Sequence, residues 1–292
     1  MIYDIKHVTT YSYATQVSFA RCALRLRPLT DTGQSLQSHS VDIRPRPSER
    51  NTRVDFFGTE VETVLIDVPH KLLKIESRSR VSVDRTPPAR DADSPAWERV
   101  REAAFDAAKF EAASPVNYVF ASSLTPIQPA INAYAQESFA PGRGVLSGSV
   151  ELMHRIYTDF KYDPKATVIS TPLAEVFEKR HGVCQDFAHV MIAGMRGIGL
   201  PAAYVSGYLR TIPPPGQKRL EGADASHAWV AVWCGDALGW VGLDPTNDIL
   251  VANHHIELAV GRDFADVSPV DGMIVGSRRQ KLGVAVDVLL VE

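Results

Sequence analysis

The sequence predicts an α+β protein: a small antiparallel β unit, sandwich or barrel, at the N-terminus, then a run of helices followed by a run of strands. Three observations predict it. Residues 1–85 hold short runs rich in Val, Ile, Thr and Tyr, separated by Pro, Gly and Ser, the habit of a small sandwich or barrel. Residues 147–200 read as three helices in succession. Residues 202–250 then read as three strands, so helices and strands are segregated rather than alternating.

The N-terminal strands are "YDIKHVTTYSY", "CALRLRP", "HSVDIRP", "TRVDFFGTEVETVLID" and "HKLLKIESRSRVSV". A polar, Pro-rich break, "DRTPPARDADSP" (84–95), ends this unit. Residues 97–113 and 127–138 read as helices, with another break at "PGRG" (141–144). "SGSVELMHRIYTDF" is expected to begin at Ser147 as a cap and to carry Val150, Met153 and Ile156 on one side. "TPLAEVFEKRHG" offers Thr171 as a cap, Pro172 at the first helical position and Gly182 beyond the end. "CQDFAHVMIAGMRGIGLP" places Phe187, Val190, Met191 and Met195 at helical spacing, with Gly199 and Pro201 as the stop. The strands are 202–209, 226–233 and 239–244, the last two joined as a hairpin through "CGDALG". "HHIELAV" and "KLGVAVDVLLV" add strands near the C-terminus. The expected units are thus a β domain (1–88), a helical connection (89–146), a core (147–250) and C-terminal strands that complete the fold (251–292).

A chain of 292 residues, 45% hydrophobic and 22% charged, is ample for a real core. Its net charge of −3 invites no nucleic acid, and the short basic runs at 78–80 and 277–281 read as solvated faces. There is no run of 18 apolar residues and "MIYDIKHVTT" has no apolar h-region, so neither a membrane span nor a secretory signal is expected. Three cysteines are too few and too odd for a disulfide framework, so a cytoplasmic setting is expected.

Most lone cysteines are small buried apolar residues, and Cys22 reads that way; Cys234 falls at a turn. Cys184 differs because it opens a helix. Unpaired N–H groups and the partial positive charge of a helix start favour a thiolate, the nucleophilic form. A nucleophilic thiol needs an imidazole beside it and an acid to hold that imidazole. His227 begins one strand and Asp244 ends its neighbour, so a hairpin brings both to one open end. Asp244 before Pro245 could serve only a turn, and His227 only a strand end. Three such residues in the order Cys, His, Asp, all at element ends, point instead to one site.

These stretches carry a resemblance. "GVCQDFAHVMIAGMRGIGLPAAYVSGYL", "HAWVAVW" and "GWVGLDPTN" resemble the three signature blocks of the bacterial transglutaminase-like family, often described as candidate cysteine proteases. "IKHVTTYSYATQV", "LRLRP" and "DFFGTEV" resemble that family's N-terminal β domain, with Thr59 where Asn is more usual, and "AVGRDFADVSPVDG" also fits. The resemblance implies an N-terminal antiparallel β-sandwich, a papain-like α+β core in which the nucleophile's helix packs on an antiparallel sheet, catalytic Cys184, His227 and Asp244, and a thioester formed from a peptide or carboxamide substrate. Water would complete hydrolysis or deamidation; an amine would complete transamidation.

Animal transglutaminases use an indole upstream of the nucleophile to hold the oxyanion, but no Trp lies between Trp97 and Trp229. The Cys184 N–H would be one donor, with Tyr162 or Gln185 as the second. Asp186 reads as a first-turn structural carboxylate close to the thiol. Trp229 and His181 are expected along the substrate cleft, which the loop "TIPPPGQKRLEGADA" would border. No four-ligand set forms around Cys184, His189 or "NHHIE", so neither metal nor cofactor is expected. Two other functions remain open. One is a non-catalytic binding module. The other is arylamine acetyl transfer, whose enzymes show Arg-Gly-Gly before the nucleophile where this chain has "EKRHGVC".

Overall fold

The computed structural model describes residues 1–106, 111–211, 226–277 and 279–291. Six strands open the chain: β1 (Ile2–Val17), β2 (Phe19–Leu24), β3 (Gln34–Arg44), β4 (Glu49–Val54), β5 (Glu60–Ile66) and β6 (His70–Val83). Helices α1 (Trp97–Phe105), α2 (Pro129–Gln136) and α3 (Val145–Asp159) follow, then the short strand β7 (Lys161–Tyr162). Next come α4 (Leu173–Lys179), the short strand β8 (His181–Gly182) and α5 (Cys184–Gly197). The core strands are β9 (Ala202–Leu209), β10 (Ser226–Trp233), β11 (Trp240–Asp244), β12 (Ile249–Leu250) and β13 (His255–Gly261). After the short helix α6 (Phe264–Val267), the chain ends in β14 (Val270–Val275) and β15 (Gln280–Leu290).

The sandwich pairs two sheets of order β15-β1-β6-β3 and β14-β2-β5-β4. Tyr13, Val17, Leu24, Val64, Leu73 and Ile75 fill the space between them. The run "TRVDFFGTEVETVLID", expected as a single strand, divides into β4 and β5. Asp55 Oδ1 accepts the N–H groups of Phe57 and Thr59 at 3.0 Å, and Gly58 takes φ 84°, so the chain reverses there. The C-terminal strands split between units: β13 joins the core sheet, while β14 and β15 return to pair with β2 and β1. β14 carries no strong alternation, and pairing with β2 is what makes it a strand.

The core sheet has order β12-β11-β10-β9-β13, and β10 and β11 form the expected hairpin, with Val230 opposite Leu243. α5 lies across it and is buried from Asp186 to Arg196. An amphipathic helix was expected, yet α5 is enclosed on all sides. Sheet residues Tyr204, Ala228 and Val230 share its apolar cluster, and α2, α3 and α4 contribute Ile131, Met153 and Val176. Each fully buried large side chain here contributes about 1.5–3 kcal/mol. The polar residues on α5 are therefore all obliged to find partners.

Several helix ends differ from expectation. The helix from Trp97 ends at Phe105 rather than reaching Ala113; Ala112 and Ala113 form a turn, and 107–110 lie outside the described residues. α3 begins at Val145, before Ser147, because Ser94 Oγ from another segment accepts the Leu146 N–H at 3.1 Å. Ser147 instead accepts from Arg143. Pro172 occupies the cap position of α4, and Arg180 in the left-handed region (φ 55°), not Gly182, ends it. The Arg180 guanidinium then lies over the Phe177 ring at 4.0 Å.

Tyr3, Ile5, Val81, Val83, Val286 and Val288 of the sandwich pack on Tyr208, Ile256 and Leu258 of the core sheet. His7 sits in this interface, with Nδ1 2.8 Å from the Tyr208 hydroxyl and Nε2 3.0 Å from Thr9 Oγ1. Burial lowers both His7 and His189 from 6.5 to about 4. Their folded values lie below the unfolded value. The stability they contribute is complete above pH 6.5 and lost as pH falls towards and through 4. That amounts to about 2 kcal/mol per histidine between pH 7.5 and 5. His227 and Glu257, the latter raised by burial from 4.5 to about 7, shift the other way and offset it. Urea unfolding of His7→Gln should therefore lose about 2 kcal/mol less stability than the native chain between pH 7.5 and 5; an unchanged pH dependence would contradict it.

Candidate active site

Strand pairing sets the nucleophile's place. β7 runs parallel to β8, with Tyr162 opposite Gly182, so Tyr162 lies beside the turn into α5. A side chain at position 182 would meet Asp186, whose Oδ2 would lie 2.6 Å from its Cβ; glycine allows the close approach. Asp186, third in the helix, accepts the Val183 N–H at 2.8 Å and the Thr167 hydroxyl at 2.6 Å through Oδ2. It is 5% exposed and anchors the helix start, as its position suggested.

Cys184 is the first residue of α5, a free, half-buried thiol. The other cysteines are fully enclosed: burial pushes Cys22 up to about 11 and Cys234 up to about 12. Cys234, expected only at a turn, belongs to the main core.

His227 and Asp244 meet as the hairpin predicts, with His227 Nε2 2.7 Å from Asp244 Oδ2. Burial alone would lower the His227 imidazole. Its bonds to Asp244 and Cys184, and their charges, outweigh burial and hold it well above its ordinary value. Burial likewise pushes Asp244 upward, but hydrogen bonds from His227, His255 and Asn247 leave it well below the usual carboxylate range. Asp244 Oδ1 accepts backbone N–H groups of Thr246 at 3.0 Å and Asn247 at 3.3 Å, and Asn247 Nδ2 donates to Oδ2 at 2.7 Å. The fully buried carboxylate is thus held as an anion with its acceptors saturated.

Of the remaining expected residues, Tyr162 is 52% exposed, with burial and the nearby Cys184 sulfur raising its hydroxyl. Gln185 is half-buried next to the thiol, and His181 is half-buried on β8. Trp229, expected along the cleft, is fully buried and packs edge-on against His255, ring centroids 5.1 Å apart. The loop expected to border the cleft lies almost wholly in 212–225, outside the described residues. His189 is a structural acceptor, taking the Phe264 N–H on Nε2 at 3.2 Å.

Two participants carry no signal in the sequence. Asn247, three residues past Asp244, reads as part of the Asp-Pro turn. His255 reads only as one of two adjacent imidazoles; its Nε2 lies 3.3 Å from Asp244 Oδ2. Among the described residues, His227, Asp244 and His255 form a buried group whose ligand atoms lie within 4.8 Å of one another. Their mutual hydrogen bonds account for that closeness.

A helix-borne thiol, a strand-borne imidazole and a buried carboxylate on an α+β core define a class of cysteine-dependent enzymes. Residues 3–82 match the bacterial transglutaminase-like N-terminal region, and residues 132–245 match the transglutaminase-like superfamily. An uncharacterized protein of Mycobacterium tuberculosis is 40% identical, over 99% of this chain and 93% of its own length. A protein-glutamine gamma-glutamyltransferase of Pseudomonas aeruginosa is 31% identical over 98 residues, covering 31% of this chain and 14% of that protein. The crystal structure of a candidate cysteine protease from Cytophaga hutchinsonii superposes with TM-score 0.72 at 20% identity, covering 100% of this chain and 92% of that one. The chain belongs to the bacterial transglutaminase-like family, and its fold is the family's. No helix among the described residues is long and apolar enough to cross a membrane.

Proposed function

We propose that the protein is a cysteine-dependent acyl-transfer enzyme that acts on peptide or carboxamide bonds, with Cys184 as nucleophile, His227 as acid and base, and Asp244 as the group that holds the imidazole. The observation that carries this reading is the 2.7 Å bond between His227 and the buried Asp244, in an imidazole that also interacts with the half-buried Cys184 sulfur. The Cys184 sulfur attacks the carbonyl carbon, and the C–N bond breaks as His227 gives its proton to the leaving amine. A thioester remains. Water then yields the acid, or a second amine yields a new amide, and the thiol is regenerated. The first-turn N–H of Cys184 has no partner within the helix and is a donor to the oxyanion. Tyr162 supplies the second donor, a role supported by its pairing with Gly182 and its closeness to the thiol. An unpaired reactive thiol fits a reducing, cytoplasmic setting.

Incubation with amide-bearing peptide pools, with and without an amine acceptor, followed by mass analysis, separates the outcomes. New fragments mean proteolysis, a one-dalton gain means deamidation, and an acceptor adduct means transamidation. Iodoacetamide should label Cys184 fastest, since the other thiols are buried and pushed up to about 11 and about 12. Cys184→Ser should abolish that labelling. Labelling no faster than that of an exposed free cysteine would favour a binding module. Tyr162→Phe should lower turnover by about a hundredfold if its hydroxyl holds the oxyanion, the usual size of one such donor. Unchanged turnover would remove Tyr162 from that role.

A further inference from the structure

Asp244 serves a second imidazole besides His227. His255 Nε2 approaches Oδ2, the same oxygen that His227 and Asn247 engage. His255 is 1% exposed, and contacts hold both its ring and its backbone. The Ala252 N–H points at Nδ1 from 3.4 Å, the Trp229 ring packs edge-on against it, and Arg85 Nη1 donates to the His255 carbonyl at 3.2 Å.

These contacts decide the tautomer. A backbone N–H can only donate, so Nδ1 is the accepting nitrogen, and the single proton of the neutral ring resides on Nε2. That proton faces Asp244. Burial favours the neutral ring, and the His227 and Arg85 charges oppose a further cation, against the pull of Asp244; the balance lies below the ordinary histidine value. His255 is therefore a neutral donor at neutral pH, unlike His227.

We propose that His255 is a positioning residue for the His227–Asp244 pair: a fixed Nε2–H donor that orients the carboxylate so that Oδ2 faces His227. The inference rests on the reading of Cys184, His227 and Asp244 as an acyl-transfer site. The need for such a donor is physical. A carboxylate held on one oxygen by the turn amides of Thr246 and Asn247 can still rock about that edge. Donors on Oδ2 from separate elements stop the rocking. Asn247 supplies one from the turn itself, and His255 supplies the one that arrives from β13. Misplacing a catalytic pair by an ångström is enough to slow a reaction greatly.

Two substitutions and one spectrum test this. Nitrogen-15 NMR of the histidine rings should show His255 as the Nε2–H tautomer from pH 7 to 9; an Nδ1–H or doubly protonated ring overturns the proposal, whatever the enzyme does. His255→Phe keeps a flat ring but no donor. It should slow iodoacetamide labelling of Cys184 at pH 7 by about ten- to a hundredfold. It should also move the basic limb of the labelling profile to lower pH, because a loosened Asp244 holds the His227 proton less firmly. His255→Gln places an amide donor near the Nε2 position and should recover most of the rate and the profile. A Phe variant with native rate and profile, or a Gln variant as slow as Phe, overturns the donor role. If labelling of the native chain is slow and insensitive to Cys184→Ser, the acyl-transfer reading fails instead, and the NMR result still decides the tautomer.

Discussion

Asp244→Asn should lower turnover by about 10³- to 10⁴-fold. The carboxylate offers only acceptors, and every group around it donates: two turn amides, the Asn247 side chain, His227 and His255. An Asn at 244 must set an NH₂ against at least one of these donors. If that NH₂ faces His227, the imidazole turns its accepting nitrogen inward and its proton towards the thiol, the wrong tautomer for taking a proton from sulfur. The raised His227 value also depends on the Asp244 charge. Its loss should pull the basic limb of the pH profile down towards the ordinary imidazole range. The measurement is the rate of product formation, by mass analysis, on the amide that the peptide screen returns, together with a melting curve to show that the chain is folded. A variant that retains a tenth of native turnover would show that Asp244 does not orient His227.

Arg196→Met should cost roughly 3–5 kcal/mol of stability, the scale for removing one partner from a buried charged network. Arg196 lies near the C-terminal end of α5 and is 2% exposed. Burial lowers it to about 10, so it remains charged at neutral pH. Its guanidinium donates to the carbonyls of Tyr118 (2.9 Å), Ala202 (2.8 Å) and Arg262 (2.7 Å), and to the hydroxyls of Ser122 and Thr125. Asp263, 1% exposed, supplies the nearby negative charge. Met fills much of the volume but leaves these acceptors dry and Asp263 without its cation. Lys should restore less than half of the loss, because one ammonium cannot reach carbonyls arranged around a planar fork. Urea unfolding of the three proteins measures this. A Met variant within about 1 kcal/mol of native would mean that water or relaxation satisfies the carbonyls instead.

Asp244 and Arg196 differ greatly in how legible they are in the sequence. Cys184 could be found because a helix start beside Gly182 is a local signal, and His227 and Asp244 because a short hairpin fixes which strand ends coincide. Arg196 reads in the sequence as an ordinary basic residue in the last turn of a helix. Nothing local says that α5 is enclosed on every side, and only enclosure turns that arginine into a hub. The same holds for Trp229. Its place two residues from His227 suggests the cleft, but alternation along β10 fixes only its face, and what covers that face comes from β9, β13 and Val251. Ser147 failed as a cap for a related reason. The side chain that caps α3 comes from Ser94, some fifty residues earlier, brought in by the Ala96–Gly144 bridge.

By itself, the sequence determined four of the five strands of the core sheet (all but β12), the limits of α5 and the split into sandwich and helical core, and it pointed to the three residues of the proposed site. Each of these depends on periodicity, on breakers, or on partners separated by a short turn, and such interactions act within a few residues of chain. Tertiary structure alone decided that the last strands return to the first sheet, that α5 is buried all round, and that His255 and Asn247 share the carboxylate with His227. Those outcomes depend on which surfaces exclude water together, and that is fixed only when distant segments compete for the same neighbours.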